Sequence, residues 1–221
     1  MKSFKQFLVE FGNSDAVSAE EAAELINTRC SHFKFLVGNL SENLLYRGMR
    51  VYYGADAVVK GVRTKRRPLT THDAIHKAAD EFFDEKFGVK FRSQAIFAVG
   101  DAGVASGYGD VYAVFPFDEV KICWSELVND MTAYTHQQLG LVNKTVDGKT
   151  TKVHALTVMS DDELAERTHE ILENADYQVN PTTLKRQYFS RLYKNHEVMI
   201  SCDEYLAVRQ EFLPKVLELI K

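Results

Sequence analysis

The stretch 91–117, FRSQAIFAVGDAGVASGYGDVYAVFPF, constrains the fold most, because two short apolar runs flank a segment rich in glycine. The first run extends from the polar pair Arg92–Ser93 to Phe97, and the second covers Val111–Phe117. Runs of this length and composition predict β-strands. A polar serine beside a buried strand needs a hydrogen-bond partner, or it marks the point where the strand borders a pocket.

The glycine-rich segment between the two predicted strands is short. Ala105 and Tyr108 are three residues apart, so a helix here would turn both side chains toward the core. The glycines do not match a phosphate-binding P-loop, because no Lys-Ser or Lys-Thr pair follows them. We therefore expect a short helical connection between the strands.

Composition limits the class of protein. The chain has 221 residues, 45% of them hydrophobic, which is enough for a substantial core, and we predict a single domain over residues 11–221. A net charge of −4 provides no overall basic field for nucleic acid. Three widely spaced cysteines predict a reducing compartment rather than a disulfide framework or a metal site. Because no apolar run is long enough to span a membrane, we expect a cytoplasmic protein without a membrane partner.

Local signals predict helices and a hairpin outside this stretch. Ser18 and Ser160 each precede a glutamate by three residues, an arrangement typical of a helix that begins with a capping box. Asp147-Gly148 lies between residues suited to strands and predicts a β-hairpin. The sequence therefore mixes helices with antiparallel strands.

Arg47 interrupts a predicted strand, LLYRGMRVYY at 44–53. A guanidinium group among apolar residues is costly unless it is paired or binds an anion. Arg47 either extends to solvent from an edge strand or contributes to a binding site.

A basic run follows this strand. Such a run is most often a solvated loop, but it is also where we expect a phosphate-rich partner, including nucleic acid, to bind. Its residues are Lys60, Arg63, Lys65, Arg66 and Arg67.

An arginine in a first strand, a serine near a following strand and a glutamate at the start of a late strand form an ordered set. This set resembles the Arg–Ser–Glu pattern of NAD-dependent ADP-ribosyltransferases. Leu45-Tyr46-Arg47-Gly48 is similar to the family's opening strand, and Phe91-Arg92-Ser93 stands where the family carries Ser-Thr-Ser. Asn195-His196-Glu197-Val198 looks like its terminal Glu-x-Glu-Val or Gln-x-Glu-Val strand.

The resemblance implies an α+β fold, a split β-sandwich of two antiparallel sheets with flanking helices. It implies transfer of ADP-ribose from NAD to a host protein or nucleic acid, with release of nicotinamide. Glu197 would stabilise the positive charge that develops on the ribose, as in glycoside cleavage. The implied catalytic residues are Glu197, Arg47 and Ser93, and the implied NAD-binding residues are Arg47, Gly48, Ser93, Phe97 and Tyr108.

The sequence departs from the family pattern at two places. The Ser-Thr-Ser motif is reduced to Arg92-Ser93-Gln94, which removes the supporting hydroxyl groups. Asn195 stands two residues before Glu197, where the family usually has Glu or Gln, so it bears on the choice of acceptor. A catalytically inactive head or interaction protein on the same fold is the alternative function.

The first ten residues, MKSFKQFLVE, have two interpretations. Their apolar residues fall at helical spacing, as in an amphipathic helix that packs on the domain. They also resemble the capsid-targeting peptides of internal head proteins of tailed bacteriophages, which end at a protease site of the form Leu-x-Glu, here Leu8-Val9-Glu10. That resemblance implies cleavage after Glu10, a place inside the phage head, and delivery to the host cytoplasm.

Overall fold

The computed structural model describes residues 14–49, 55–66, 71–147, 149–180, 184, 188–189 and 193–220. The predicted targeting peptide at 1–10 and Arg67 of the basic run lie outside these residues. The described helices are α1 (Ala19–Arg29), α2 (Ser31–Val37), α3 (Asp73–Phe87), α4 (Phe91–Gln94), α5 (Ala102–Ser106), α6 (Met131–Leu139), α7 (Asp161–Glu173) and α8 (Leu213–Leu219). The described strands are β1 (Ser14–Val17), β2 (Tyr46–Met49), β3 (Ala57–Gly61), β4 (Ile96–Ala98), β5 (Asp110–Pro116), β6 (Lys121–Trp124), β7 (Leu141–Val146), β8 (Lys149–His154), β9 (Gln178–Val179), β10 (Val198–Ser201) and β11 (Glu204–Arg209).

The described strands form two larger sheets and one separate hairpin. Sheet A has five strands in the order β1-β3-β11-β5-β2, and sheet B has four in the order β4-β10-β6-β9. Strands β7 and β8 form the hairpin that Asp147-Gly148 predicts. The paired strands are antiparallel. Antiparallel sheets with flanking helices confirm the predicted α+β class.

Sheet B separates two parts of the hydrophobic core. Successive side chains of a strand point to opposite faces of its sheet. Ile96 and Ile200 belong to the core that sheet A and helices α1 and α2 share. Phe97 and Met199 lie on the other face, with residues of α3, α6 and α7. Sheet B is therefore covered on both faces.

Two helices begin as their sequences predict. The Ser18 hydroxyl accepts a hydrogen bond from the Glu21 N–H at 3.2 Å, and the Glu21 carboxylate accepts one from the Ser18 N–H at 2.8 Å. Ser160 and Glu163 make the same reciprocal pair before α7. Each capping box satisfies two backbone donors that a helix N-terminus otherwise leaves without a partner.

The two large sheets meet edge to edge at Tyr46 and Val99. The Tyr46 N–H donates to the Val99 carbonyl at 2.6 Å, and the Val99 N–H donates to the Tyr46 carbonyl at 2.9 Å. This bridge joins β2, at one edge of sheet A, to the end of β4, at one edge of sheet B. The residues that follow Tyr46 and precede Val99 are therefore brought together.

Two expectations about the stretch 91–117 were wrong. Phe91–Gln94 is a helical turn rather than a strand, because Asp80 on α3 accepts the backbone N–H groups of both Arg92 and Ser93, at 2.9 and 3.1 Å. Ala105 is buried as expected, but Tyr108 is 75% exposed because α5 ends before it.

Gly48 is required by the packing of α5 on β2. A Cβ atom at Gly48 would lie 2.4 Å from the Ala105 carbonyl oxygen and 2.7 Å from the Tyr108 carbonyl carbon, both backbone atoms. We expect Gly48→Ala to lower the free energy of unfolding by about 2 kcal/mol, since overpacking forces the backbone to move. Urea denaturation followed by circular dichroism measures this difference.

Gly61→Ala is the matched control, because a Cβ atom at Gly61 in β3 meets nothing within 4 Å. Replacing a strand glycine by alanine in open space should leave stability unchanged or raise it by about 0.5 kcal/mol. Equal destabilisation by the two substitutions would contradict the packing of α5 on β2.

Candidate functional site

Arg47 and Phe97 meet beside the bridge between the sheets. Arg47 lies on β2, and its Nη1 donates to the Phe97 carbonyl at 3.5 Å. Phe97 is the central residue of β4 and pairs with Met199 of β10. The guanidinium group that interrupts β2 is therefore directed to the edge of sheet B.

Glu197 enters the same region from β10. It immediately precedes Val198, which pairs with Ala98 of β4, so strand alternation places Glu197 on the face that carries Met199 and Phe97. Its backbone N–H donates to the Asn129 carbonyl at 2.8 Å.

Tyr188 fixes the turn that leads to Glu197. Its buried hydroxyl accepts a hydrogen bond from the Gly100 N–H at 2.8 Å and donates one to the His196 carbonyl at 2.9 Å. The His196 ring is also held, since its Nδ1 lies 3.0 Å from the Ser125 carbonyl oxygen. The backbone before Glu197 is thus tied to the ends of both β4 and β6.

Arg92 makes an ion pair with Glu197. Its Nη1 lies 3.1 Å from Glu197 Oε1, and the two side chains are only 6% and 19% exposed. Arg92 Nη2 also donates to Thr132 Oγ1 at 3.4 Å. The pair is shielded from solvent, and charges interact more strongly in the interior of a protein than at its surface.

The Phe97 ring is contacted by two guanidinium groups. Arg66 lies 3.9 Å from the ring centroid and Arg92 lies 4.7 Å from it. Both distances are within the range of cation–π attraction. Arg66 is further fixed by its backbone N–H, which donates to the Ser93 carbonyl at 3.1 Å. Phe97 therefore aligns two of the arginines of the site.

Burial and neighbouring charges oppose each other at Glu197. Burial raises the pKa of Glu197, and the nearby charge of Asp130 raises it further, whereas Arg92, Arg66 and the backbone N–H of Met131 lower it. Burial also lowers the pKa of Arg66 to about 10, with contributions from Arg47 and Arg92. Arg66 is thus repelled by Arg47 and Arg92, and the Glu197 carboxylate interacts with Arg92 and Arg66.

Two guanidinium nitrogen atoms in this region are buried without an acceptor among the described residues. Arg66 Nη1 and Arg92 Nε are buried and have no hydrogen-bond partner among the described residues. Buried polar atoms are normally hydrogen-bonded, so an oxygen-rich anion that enters here gains contacts that the protein already orients.

His76 and Asp80 form the base of the site. His76 Nε2 lies 3.7 Å from Asp80 Oδ2. Burial lowers the pKa of His76, the charge of Asp80 opposes this, and the charges of Arg92 and Arg66 lower the pKa further. Asp80 holds the start of α4 through its other oxygen.

The other predicted site residues occupy different positions. Ser93 lies on α4 and joins the site through its backbone, between Arg66 and Asp80. Gly48 faces α5, on the side of β2 opposite Arg47. Tyr108 and Asn195 are exposed, and Asn195 lies in the turn before Glu197.

The described residues of the basic run do not form one solvated patch. Arg63 and Lys65 are exposed, but Lys60 belongs to β3 and Arg66 lies against Phe97. The Arg66 guanidinium group lies over the Phe97 ring. Contact of the run with nucleic acid stays a prediction.

Arg92 and Arg66 were not among the site residues predicted from the sequence. Arg92 did carry a signal, since it belongs to the polar pair Arg92–Ser93 that precedes the apolar run ending at Phe97. Arg66 carried none that separates it from its basic neighbours, because its position depends on the contact with Ser93.

No protein-family model, curated protein or solved structure matches this chain. Within the described ranges, no helix is long and apolar enough to cross a membrane. The described residues also contain no group of three or more His, Cys, Asp or Glu side chains that could hold a metal ion.

We expect Arg92→Gln to destabilise the fold because it leaves Glu197 buried without its partner. Breaking a buried pair on one side costs about 3 kcal/mol. Burial raises the pKa of Glu197 in the folded protein above its value in the unfolded chain, so the free energy of unfolding falls as the pH rises from the unfolded pKa through the folded pKa. Removing Arg92 raises the folded pKa further, because Arg92 lowers it in the native protein. The decrease in the free energy of unfolding then continues to higher pH. The loss of unfolding free energy should be larger at about pH 8 than at about pH 5.

Urea denaturation of four proteins tests this expectation: the native chain, Arg92→Gln, the double variant Arg92→Gln/Glu197→Gln, and Arg209→Gln. The double variant should recover much of the loss at high pH, because the carboxylate that Arg92→Gln leaves without its partner is also removed. Arg209→Gln breaks a more exposed pair with Glu211 and should cost less than about 1 kcal/mol. A loss in Arg92→Gln that does not depend on pH would contradict this account of Glu197.

Proposed function

We propose that this chain transfers ADP-ribose from NAD to a macromolecular acceptor and releases nicotinamide. The observation that carries the proposal is a shielded carboxylate, Glu197, among three guanidinium groups where an edge of sheet A meets an edge of sheet B. The order along the chain also supports it, since Arg47, Ser93 and Glu197 lie on or before β2, β4 and β10. In this proposal the fold is the split β-sandwich of the ADP-ribosyltransferases.

Glu197 supplies negative charge where the reaction develops positive charge. The bond between C1′ of the ribose and the nicotinamide nitrogen breaks with both electrons leaving on nicotinamide, so the sugar becomes oxocarbenium-like. The carboxylate holds a ribose hydroxyl and stabilises this cation, and preorganised charge is usually the largest catalytic contribution. The nucleophilic atom of the acceptor then bonds to C1′ and loses its proton.

Arg47 and Arg66 supply the complementary charge for the diphosphate of NAD. Both lie beside Phe97, and Arg66 Nη1 is buried and lacks a partner among the described residues. Planar guanidinium groups bind phosphate oxygens with paired, charge-assisted hydrogen bonds. Because Phe97 contacts two guanidinium groups, its part in the proposal is to align them.

Two exposed residues are proposed to contact the substrates, Asn195 the acceptor and Tyr108 NAD. Asn195 is exposed in the turn before Glu197, where it can contact an acceptor. Tyr108 is exposed after α5 and is proposed to contact NAD. If Met1–Glu10 is a capsid-targeting peptide, the acceptor is a host protein or nucleic acid, and the protein acts in the host cytoplasm after leaving the phage head.

Nicotinamide release from NAD, with and without a cell lysate, tests the proposal. We expect release by the native protein and a decrease of about 100-fold or more in Glu197→Gln, because a preorganised charge is removed from the developing cation. Glu211→Gln is the control, since the Glu211 carboxylate is 58% exposed and pairs with Arg209. Its rate should equal that of the native chain.

The possible outcomes separate the two candidate functions. Release that depends on Glu197 and increases with lysate supports a transferase, and labelled NAD then identifies the acceptor. Binding of NAD without release would favour the inactive interaction protein. If the protein neither binds NAD nor releases nicotinamide, the proposal is wrong.

A further inference from the structure

We infer that Arg92 is the positioning residue for Glu197, in the place of the hydroxyl groups that the reduced Ser-Thr-Ser motif no longer provides. This inference rests on the proposed function. It names a residue that does not belong to the Arg–Ser–Glu pattern. Arg92 acts through Glu197 rather than on NAD.

The hydrogen bond from Arg92 can orient the Glu197 carboxylate without using all of its acceptor positions. Arg92 Nη1 contacts Oε1 of Glu197 at 3.1 Å. A carboxylate has about four acceptor positions, so Glu197 can accept this hydrogen bond and still accept one from a hydroxyl of the substrate. The backbone N–H of Met131, at the start of α6, adds a further hydrogen bond to the carboxylate. The direction of the Glu197 side chain is therefore fixed from two elements.

Arg92 itself is anchored on several sides. Its backbone N–H donates to Asp80 Oδ1 at 2.9 Å, its Nη2 donates to Thr132 Oγ1, and its guanidinium group lies over Phe97. Thr132 is in turn 2.8 Å from Thr71 Oγ1. A residue that is locked by packing and hydrogen bonds can hold a catalytic group in a productive geometry.

The local structure explains why Arg92 rather than Ser93 has this role. Asp80 folds Phe91–Gln94 into a helical turn, in which neighbouring side chains point about 100° apart. Arg92 is directed to Glu197, whereas the Ser93 carbonyl accepts the N–H of Arg66. The departure from Ser-Thr-Ser thus coincides with a stronger, charged partner for the carboxylate.

A purely structural ion pair predicts lower stability and nothing more. A positioning contact also predicts a lower kcat with little change in KM for NAD, because the orientation of Glu197 affects the transition state more than binding. It further predicts a displaced pH profile. The groups that face or influence Glu197 are Arg92 from α4, Arg66 from the segment after β3, Asp130 and Met131 at the start of α6, Cys123 from β6, Tyr177 before β9, and Tyr188.

Steady-state nicotinamide release by the full chain, measured across pH, tests the inference in Arg92→Gln and Arg92→Lys. Arg92→Gln should lower kcat on the order of tenfold to a hundredfold, as expected when a reacting group is misplaced. Its acid limb should move up by about one pH unit, because Arg92 is the largest influence that lowers the pKa of Glu197. Arg92→Lys should restore part of both effects, and Arg209→Gln should change neither.

Two further measurements keep the test decisive. Carbon-13 NMR titration of the glutamate carboxyl groups, assigned with Glu197→Gln, should show the same upward displacement for Glu197 in Arg92→Gln. If Arg92→Gln does not fold, Thr132→Val removes an anchor of Arg92 while keeping the ion pair, and it should lower kcat more than KM changes.

The outcomes distinguish the inference from the function on which it rests. No release by the native protein overturns the proposed transferase. Release by the native protein with an unchanged kcat and pH profile in folded Arg92→Gln overturns the inference alone, as does an unchanged kcat in Thr132→Val if Arg92→Gln is unfolded. A lower kcat with a displaced acid limb and partial rescue by lysine supports it.

Discussion

The edge-to-edge bridge between Tyr46 and Val99 is the contact on which the site depends. Two backbone hydrogen bonds join β2 of sheet A to the end of β4 of sheet B. Backbone geometry alone then brings Arg47 to Phe97, and the pairing of β4 with β10 adds Glu197 on the same face. Residues 150 positions apart in the sequence, Arg47 and Glu197, are collected by strand pairing rather than by a local motif. A loop could not fix them as well, because sheets limit the register of their strands.

The elements that the sequence predicts correctly have a local physical cause. The capping boxes at Ser18 and Ser160 and the hairpin at Asp147-Gly148 depend on residues within a few positions of each other. The strand predicted at 91–94 is wrong, although the apolar pattern there indicates one. There the side chain of Asp80, brought in by α3, caps a helical turn. A distant carboxylate outweighs local preference, and the residues themselves carry no sign of it.

Some residues of the candidate site can be identified from the sequence, whereas others depend on distant contacts. Arg47 and Glu197 could be chosen from the sequence because each interrupts or precedes an apolar strand. Arg92 also precedes an apolar strand. The direction of its side chain could not be predicted, because Phe91–Gln94 is a helical turn and not the expected strand. Arg66 could not be separated from its basic neighbours, since only the hydrogen bond to Ser93 and the Phe97 ring distinguish it. Burial and the adjacent arginines lower the pKa of Arg66 to about 10, a cost that a solvated loop would not incur.

That cost bears on why the charges are there. A buried ion pair is weak support for stability, because well-packed apolar residues of similar volume are often as stable or more stable. Arg92 and Glu197 are both shielded from solvent. The charges of Arg47 and Arg92 lower the pKa of Arg66, and the charge of Glu197 opposes them. An arrangement that costs stability in this way is better explained by a ligand that compensates it. A dianionic diphosphate matches the excess of guanidinium groups, and a developing cation matches the one carboxylate they surround. NAD carries both charges, the negative one on its diphosphate and the developing positive one on the ribose that loses nicotinamide. In the proposed reaction the same cluster therefore supports both binding and bond cleavage.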